Sequence, residues 1–152
     1  MKRLLCVILL LLMIISFFPV NTQAAETGTP DYLFYTDDGG YIIMYIEELG
    51  TRVSNSKTGS RVFEYYNNDH EIQWRATLTG TYLYTGTTAT CTSSRCDVVI
   101  YNSAWYVISK SSGMLGAKAT AELSMGRKVL GVTVERKNVS MALSCDANGN
   151  LS

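Results

Sequence analysis

EIQWRATLTGTYLYTGTTATC, residues 71–91, carries the clearest pattern in the chain and sets its fold class. Ile72, Trp74, Ala76 and Leu78 fall on one parity; Gln73, Arg75, Thr77 and Thr79 fall on the other. A period of two is the mark of a strand with one buried face. Gly80 interrupts the pattern where a bulge or close packing is expected, and Thr85-Gly86 ends it as a turn.

Downstream, the sequence supplies partners of the same kind. Thr87 to Thr92 reads as a short strand, Ser93-Ser94-Arg95 as a turn, and Asp97 to Tyr101 and Trp105 to Ser109 as strands divided at Asn102-Ser103. After a break at Ser111-Ser112-Gly113, Ala117, Ala119, Ala121 and Leu123 alternate with Lys118, Thr120, Glu122 and Ser124. Alanines on the apolar parity imply packing beneath a large side chain, with Trp74 or Trp105 as the candidate. Gly126-Arg127 turns into Val129 to Val134, Glu135 to Asn138 turns again, and Val139, Met141 and Leu143 alternate into Cys145.

Upstream, Val62 to Tyr66 is a strand and Asn67 to His70 the turn that follows it. Leu49 to Ser60 is rich in Ser, Thr, Gly and Asn and reads as a linker. Tyr32 to Tyr35 and Tyr41 to Ile46 form a hairpin across Thr36 to Gly40. A helix from Asp38 to Gly50 is the rival, but it would place Glu47 and Glu48 at the unfavourable end of its dipole. Short strands and frequent turns give an all-β class: an antiparallel β-sandwich or a partly open barrel, preceded by a signal peptide and an N-terminal β-hairpin. The expected division is 1–24 signal peptide, 25–59 hairpin and linker, and 60–152 sandwich domain.

The signal peptide is read from Lys2 and Arg3, the apolar run Leu4 to Phe18, and the small-residue site ending at Ala24. Removal of this segment leaves 11 basic against 13 acidic side chains, a net charge of −2, which argues against nucleic acid as a partner. The expected location is secreted and extracellular, with no membrane contact after cleavage.

Cys91, Cys96 and Cys145 follow the signal segment, and an odd number in an oxidising exterior leaves one without an internal partner. Bridging Cys91 to Cys145 would close a loop of about 55 residues, worth about 4 kcal/mol, against roughly 2 to 3 kcal/mol for the Cys91 to Cys96 ring. The expected disulfide is therefore Cys91–Cys145, with proximity favouring Cys96 as the rival partner of Cys91. The C-x4-C spacing with His70 does not match paired zinc ligands, so no metal or other cofactor is expected.

His70 is the only histidine, and no serine sits in a nucleophile elbow. Glu64 and Glu71, across the hairpin turn, are the pair a glycan hydrolase would need. Asp146 to Asn150 has the flavour of a calcium loop without its late glutamate, and an Asn-Gly turn accounts for it. Asn138-Val139-Ser140 is a formal sequon and reads as a hairpin turn. The ten tyrosines are the feature suited to binding, and Tyr66, Tyr101 and Tyr106 are the candidate outward-facing surface.

The run from Lys57 to Ser94, then SAWYVISKS, GRKVLGVTVE and the closing LSCDANGNLS, resembles a group of small secreted proteins of Gram-positive bacteria. The resemblance spans Tyr41 to Ser152. It implies an exported β-domain without an assigned activity, and relatives with Gly at the position of His70. The resulting expectation is a non-catalytic extracellular domain that binds a protein or a cell-surface glycan of the envelope or host. The alternatives are a secreted glycan hydrolase, or an antagonistic peptide or its immunity partner.

Overall fold

The computed structural model describes residues 32–53 and 55–152; the signal-peptide reading lies outside the described residues. Among the described residues eight strands follow one another: β1 Tyr32–Tyr35, β2 Tyr41–Val53, β3 Ser56–Tyr66, β4 Ile72–Tyr84, β5 Ala89–Ile100, β6 Trp105–Leu115, β7 Lys118–Val129 and β8 Val132–Ser144. They form a five-stranded sheet in the order β1-β2-β3-β4-β5 and a three-stranded sheet in the order β6-β7-β8. Every pairing is antiparallel and joins sequence neighbours, so the chain changes sheet once, between β5 and β6. The expected all-β sandwich is what forms, and it is not closed into a barrel.

The strands are longer than the sequence pattern implied. Leu49 to Ser60, read as a linker, is the β2–β3 hairpin, with Val53 opposite Ser56. Ser93-Ser94-Arg95, Ser111-Ser112-Gly113, Gly126-Arg127 and Glu135 to Asn138, all read as turns, lie within β5, β6, β7 and β8. Turn chemistry misled because these positions bind across strands. Ser94 Oγ donates to the Thr120 carbonyl at 3.4 Å and Ser112 Oγ to the Ser94 carbonyl at 3.3 Å, joining the sheets on the β5–β6 side. Gly126 stays in strand because the Tyr106 ring opposite lies where a Cβ would stand, 2.7 Å away.

The core lies where β7 and β8 cover β3, β4 and β5. Trp74, Ala76, Leu78 and Tyr82 of β4 are buried together with Ala119, Ala121, Leu123 and Met125 of β7 and Val139, Met141 and Leu143 of β8. Trp74, Tyr65 and Trp105 form one aromatic cluster, with ring centroids 5.3 to 6.3 Å apart. Tyr82 folds back over Gly80 and donates its hydroxyl to the Leu143 carbonyl at 2.5 Å. The backbone of Ala119 adjoins that hydroxyl, so Tyr82 is a large neighbour of the alanines that the sequence did not single out. After β8 the chain turns back, Cys145 bridging to Leu151, and the Leu151 side chain covers Gly59.

Candidate functional site

The two sheets differ in width, and this mismatch makes the site. Cross-strand partners share a face of a sheet. Ile42, Met44 and Ile46 of β2 stand opposite Tyr65, Phe63 and Arg61 of β3 and therefore share the inner face. Among the described residues no strand of the smaller sheet brings its backbone close to β1 or β2. A groove of about 430 Å³ remains between that inner face and β8, lined by Ile42, Met44, Arg61, Phe63, Val139 and Ala142 and reached by Phe34. Its volume lies within the usual range for ligand pockets, roughly 300 to 1,000 Å³. Along one side runs β8, whose only strand partner among the described residues is β7 and whose other edge is paired at its last residue, Ser144, with Ser152.

Arg61 is the one charged residue lining this groove. It stands between Ile46 and the fully buried Leu78 on the inner face. Among the described residues its guanidinium has no ion pair or hydrogen bond. Lys57, the other inner-face cation of β3, is held by Glu48. A partly buried guanidinium among apolar side chains lacks the anion its five donors are shaped to meet.

A second, polar pocket of about 260 Å³ opens at the turn end of the sandwich, over Tyr65 and Trp105. Four of its charges, those of Asp38, Lys137, Arg127 and Glu135, are paired with one another. Asp38 accepts from Lys137 Nζ at 2.8 Å and from the Tyr65 hydroxyl at 2.7 Å. Arg127 Nε reaches Glu135 at 2.7 Å, and Lys137 stands 3.2 Å from the other Glu135 oxygen. Burial opposes ionisation of Asp38, but hydrogen bonds from Lys137 and Tyr65 outweigh it and hold its carboxyl far below the ordinary range. Burial likewise opposes the charge on Lys137, and Asp38 and Glu135 more than restore it, raising its pKa. This network fastens the β1–β2 turn to β8.

The sequence candidates are scattered. Tyr66 lies on the outer face of the larger sheet, stacked on Tyr41 with centroids 5.0 Å apart, and donates its hydroxyl to Glu64 at 2.8 Å. Burial and that carboxylate push its phenol up to about 12. Tyr101 is half exposed at the β5–β6 crossover. Tyr106 lies on the outer face of the smaller sheet, beneath Lys128 and bonded to Thr133 at 2.7 Å. The three do not form one surface, because Tyr66 and Tyr106 belong to different sheets facing opposite ways.

Glu64 is buried and accepts from Arg75 Nε at 2.7 Å, from Tyr45 at 3.1 Å and from Tyr66 at 2.8 Å. Those three donors occupy a carboxylate that a hydrolase would need free. Its proposed partner Glu71 is exposed and bonded to Asn67 at 3.2 Å. His70, at positive φ in the turn, rests against Tyr41 with Nδ1 3.3 Å from the hydroxyl.

The expected Cys91–Cys145 disulfide is not formed. Cys91, Cys96 and Cys145 are buried free thiols. Burial raises the pKa of all three, which keeps them protonated near neutrality and poor nucleophiles. The expectation did bring two of them near each other: the Cys91 and Cys145 amides donate to the successive carbonyls of Gly116 and Ala117. The rival ring is ruled out by geometry, since Cys91 and Cys96 lie on one strand, opposite Tyr82 and Leu78. Five residues of extended chain separate Cα atoms by about 16 Å, far beyond the roughly 7 Å limit for a bridge.

The Asp146 to Asn150 turn is closed by Asp146 itself, which accepts from the amides of Asn148 and Asn150 at 2.8 and 2.9 Å. Among the described residues no group of three or more potential ligands could hold a metal. Asn138 of the sequon lies within β8 and accepts from Ser124 at 2.8 Å. The residue that sequence reading missed is Arg61. It shares the parity of Phe63 and Tyr65, so the alternation in RVFEY already placed a charge on the apolar face.

The chain matches no protein-family model, no curated protein and no solved structure.

Proposed function

We propose that the chain is an exported, non-catalytic binding domain. Its ligand is a single-chain amphiphile with an anionic head, a lipidic component of the cell envelope or of a host surface. The observation that carries this reading is Arg61, without an anion on the described residues, in the apolar groove beside β8. An acyl chain lying on Ile42, Met44 and Phe63 would gain about 0.8 kcal/mol per buried methylene. A carboxylate or phosphate on Arg61 would add a charge-assisted bond worth about 1.5 to 3 kcal/mol. Export is supported by the basic, apolar and small-residue regions of the N-terminus.

The test is displacement of the anionic dye 1-anilinonaphthalene-8-sulfonate by laurate and by dodecanol. Laurate is expected to bind at least tenfold more tightly than the alcohol, and Arg61→Gln to remove that difference while the chain-length dependence persists. Absence of saturable binding by either amphiphile refutes the reading.

A further inference from the structure

β7 and β8 meet in a two-residue turn, Leu130-Gly131, closed by the pair Val129 and Val132. Both turn residues have positive φ, 52° and 82°. Two-residue hairpin turns of this kind favour Asn, Asp or Gly at the first position, because other side chains strain the left-handed backbone. A leucine occupies it instead. Leu130 is 100% exposed, so no packing within the fold offsets the strain.

The neighbouring side chains continue the theme. Val129, Val132 and Val134 are 45%, 65% and 52% exposed, and the hydroxyl of Thr133 between them is bonded to Tyr106. Hairpin tips facing water are normally polar, and contiguous exposed apolar surface marks an interaction site. The base of the tip is basic on its outer face. Lys128 lies 4.5 Å from the Tyr106 ring centroid, and Arg136 stands opposite Gly126. Of the two acids of the hairpin, Glu135, near the tip, is held by Arg127, and Glu122, farther from it, accepts from the Ser140 hydroxyl at 2.6 Å.

An apolar tip above an aromatic and basic collar complements one kind of surface: a bilayer whose headgroups are anionic. We propose that the β7–β8 hairpin docks the domain on such a membrane, with Leu130 and its valines below the headgroups and Tyr106, Lys128 and Arg136 among them. The sequence reading left no membrane partner after signal removal; a peripheral hairpin needs no span. This inference rests on the turn and its collar, independent of the groove.

Vesicle flotation tests it, comparing phosphatidylglycerol–phosphatidylcholine vesicles with phosphatidylcholine alone, all variants sharing one N-terminus. The unaltered protein is expected to float with the anionic vesicles and to be released by salt. Leu130→Asn is the decisive variant, because asparagine suits the turn: binding should fall at least tenfold while the melting temperature holds or rises. Lys128→Gln and Arg136→Gln should each weaken binding severalfold to anionic vesicles only. Leu130→Asn should leave laurate titration unchanged, which separates the tip from the groove. Equal flotation of Leu130→Asn, no flotation of the unaltered protein, or self-association abolished by Leu130→Asn without vesicle binding would each overturn the proposal.

Discussion

The inner face of the larger sheet has two halves with one pattern and two fates. Over β3, β4 and β5 it is sealed by β7 and β8, with Tyr82 and Trp74 packed among small alanines and methionines. Over β1 and β2 the same alternation continues through Ile42, Met44 and Ile46, but these side chains are only partly buried. Arg61 stands at the boundary, paired across strands with Ile46 on the open side and Leu78 on the sealed one. Alternation thus specifies which side chains face inward; the width of the opposing sheet specifies which of them are covered.

The sharpest way to break this comparison is to cut equivalent side chains from the two halves. Leu78→Ala, in the sealed half, is expected to cost about 2 to 5 kcal/mol through lost transfer energy and a residual cavity. Met44→Ala, beside the open groove, should cost less than about 1.5 kcal/mol, since solvent already reaches the site. Urea unfolding of the two variants measures both; equal losses would show that the groove is packed in solution.

Next in size is Tyr82→Phe, which keeps the ring over Gly80 and removes the hydroxyl from the Leu143 carbonyl. A loss of about 1 to 2 kcal/mol is expected from that bond and the buried acceptor left without its donor. The same denaturant titration reads it, and a neutral result would assign the stability of the sealed half to packing alone.

A smaller, local effect belongs to the fastening of the open half. Asp38 has a lowered pKa in the fold, so its contribution is fully present above the ordinary carboxylate range, about 4, and is lost as pH falls through the folded value. Neutral to mildly acid solution should therefore leave the β1–β2 turn fastened, and strongly acid solution should loosen it. Hydrogen exchange of the amides in β1 and β2 between pH 2 and 6, corrected for intrinsic rates, is expected to show protection falling only at the acid end. Lys137→Met should flatten that dependence, with β4 amides unaffected in both proteins.

The smallest change tests a turn that lies outside both halves. A left-handed leucine costs about 1 to 2 kcal/mol relative to a residue at ease there. Leu130→Asn should recover about 0.5 to 1 kcal/mol of it and raise the melting temperature slightly. A fall in stability would mean that Leu130 packs on something in solution and that the tip is not free.

Much of this was legible residue by residue. Trp74, Ala76 and Leu78 declared their buried face through parity alone, and Ala119, Ala121, Val139, Met141 and Leu143 did the same; all of them are core. Strand lengths were less legible, because Ser94 and Gly126 carry turn chemistry yet serve as cross-sheet donor and as a seat for Tyr106. The groove was half legible: parity put Arg61 among apolar neighbours, but nothing in the sequence says that the strands of the smaller sheet stop short of β1 and β2. The tyrosines misled as a group, since Tyr65, Tyr82, Tyr84 and Tyr106 each lie over a glycine, a contact between residues that sequence spacing does not reveal.

What the sequence determined by itself is the β class and the inward-facing set, because side-chain direction in a strand is fixed by a local period of two. The company those side chains keep is set instead by how the two sheets meet. The chain crosses to the second sheet once, after five strands, and then has three with which to cover them. From that count follow the open flank, the position of Arg61 within it, and the projection of Leu130 beyond the pairing that ends at Val129 and Val132. Covering is a property of two surfaces meeting, and no local pattern in either one records the width of the other.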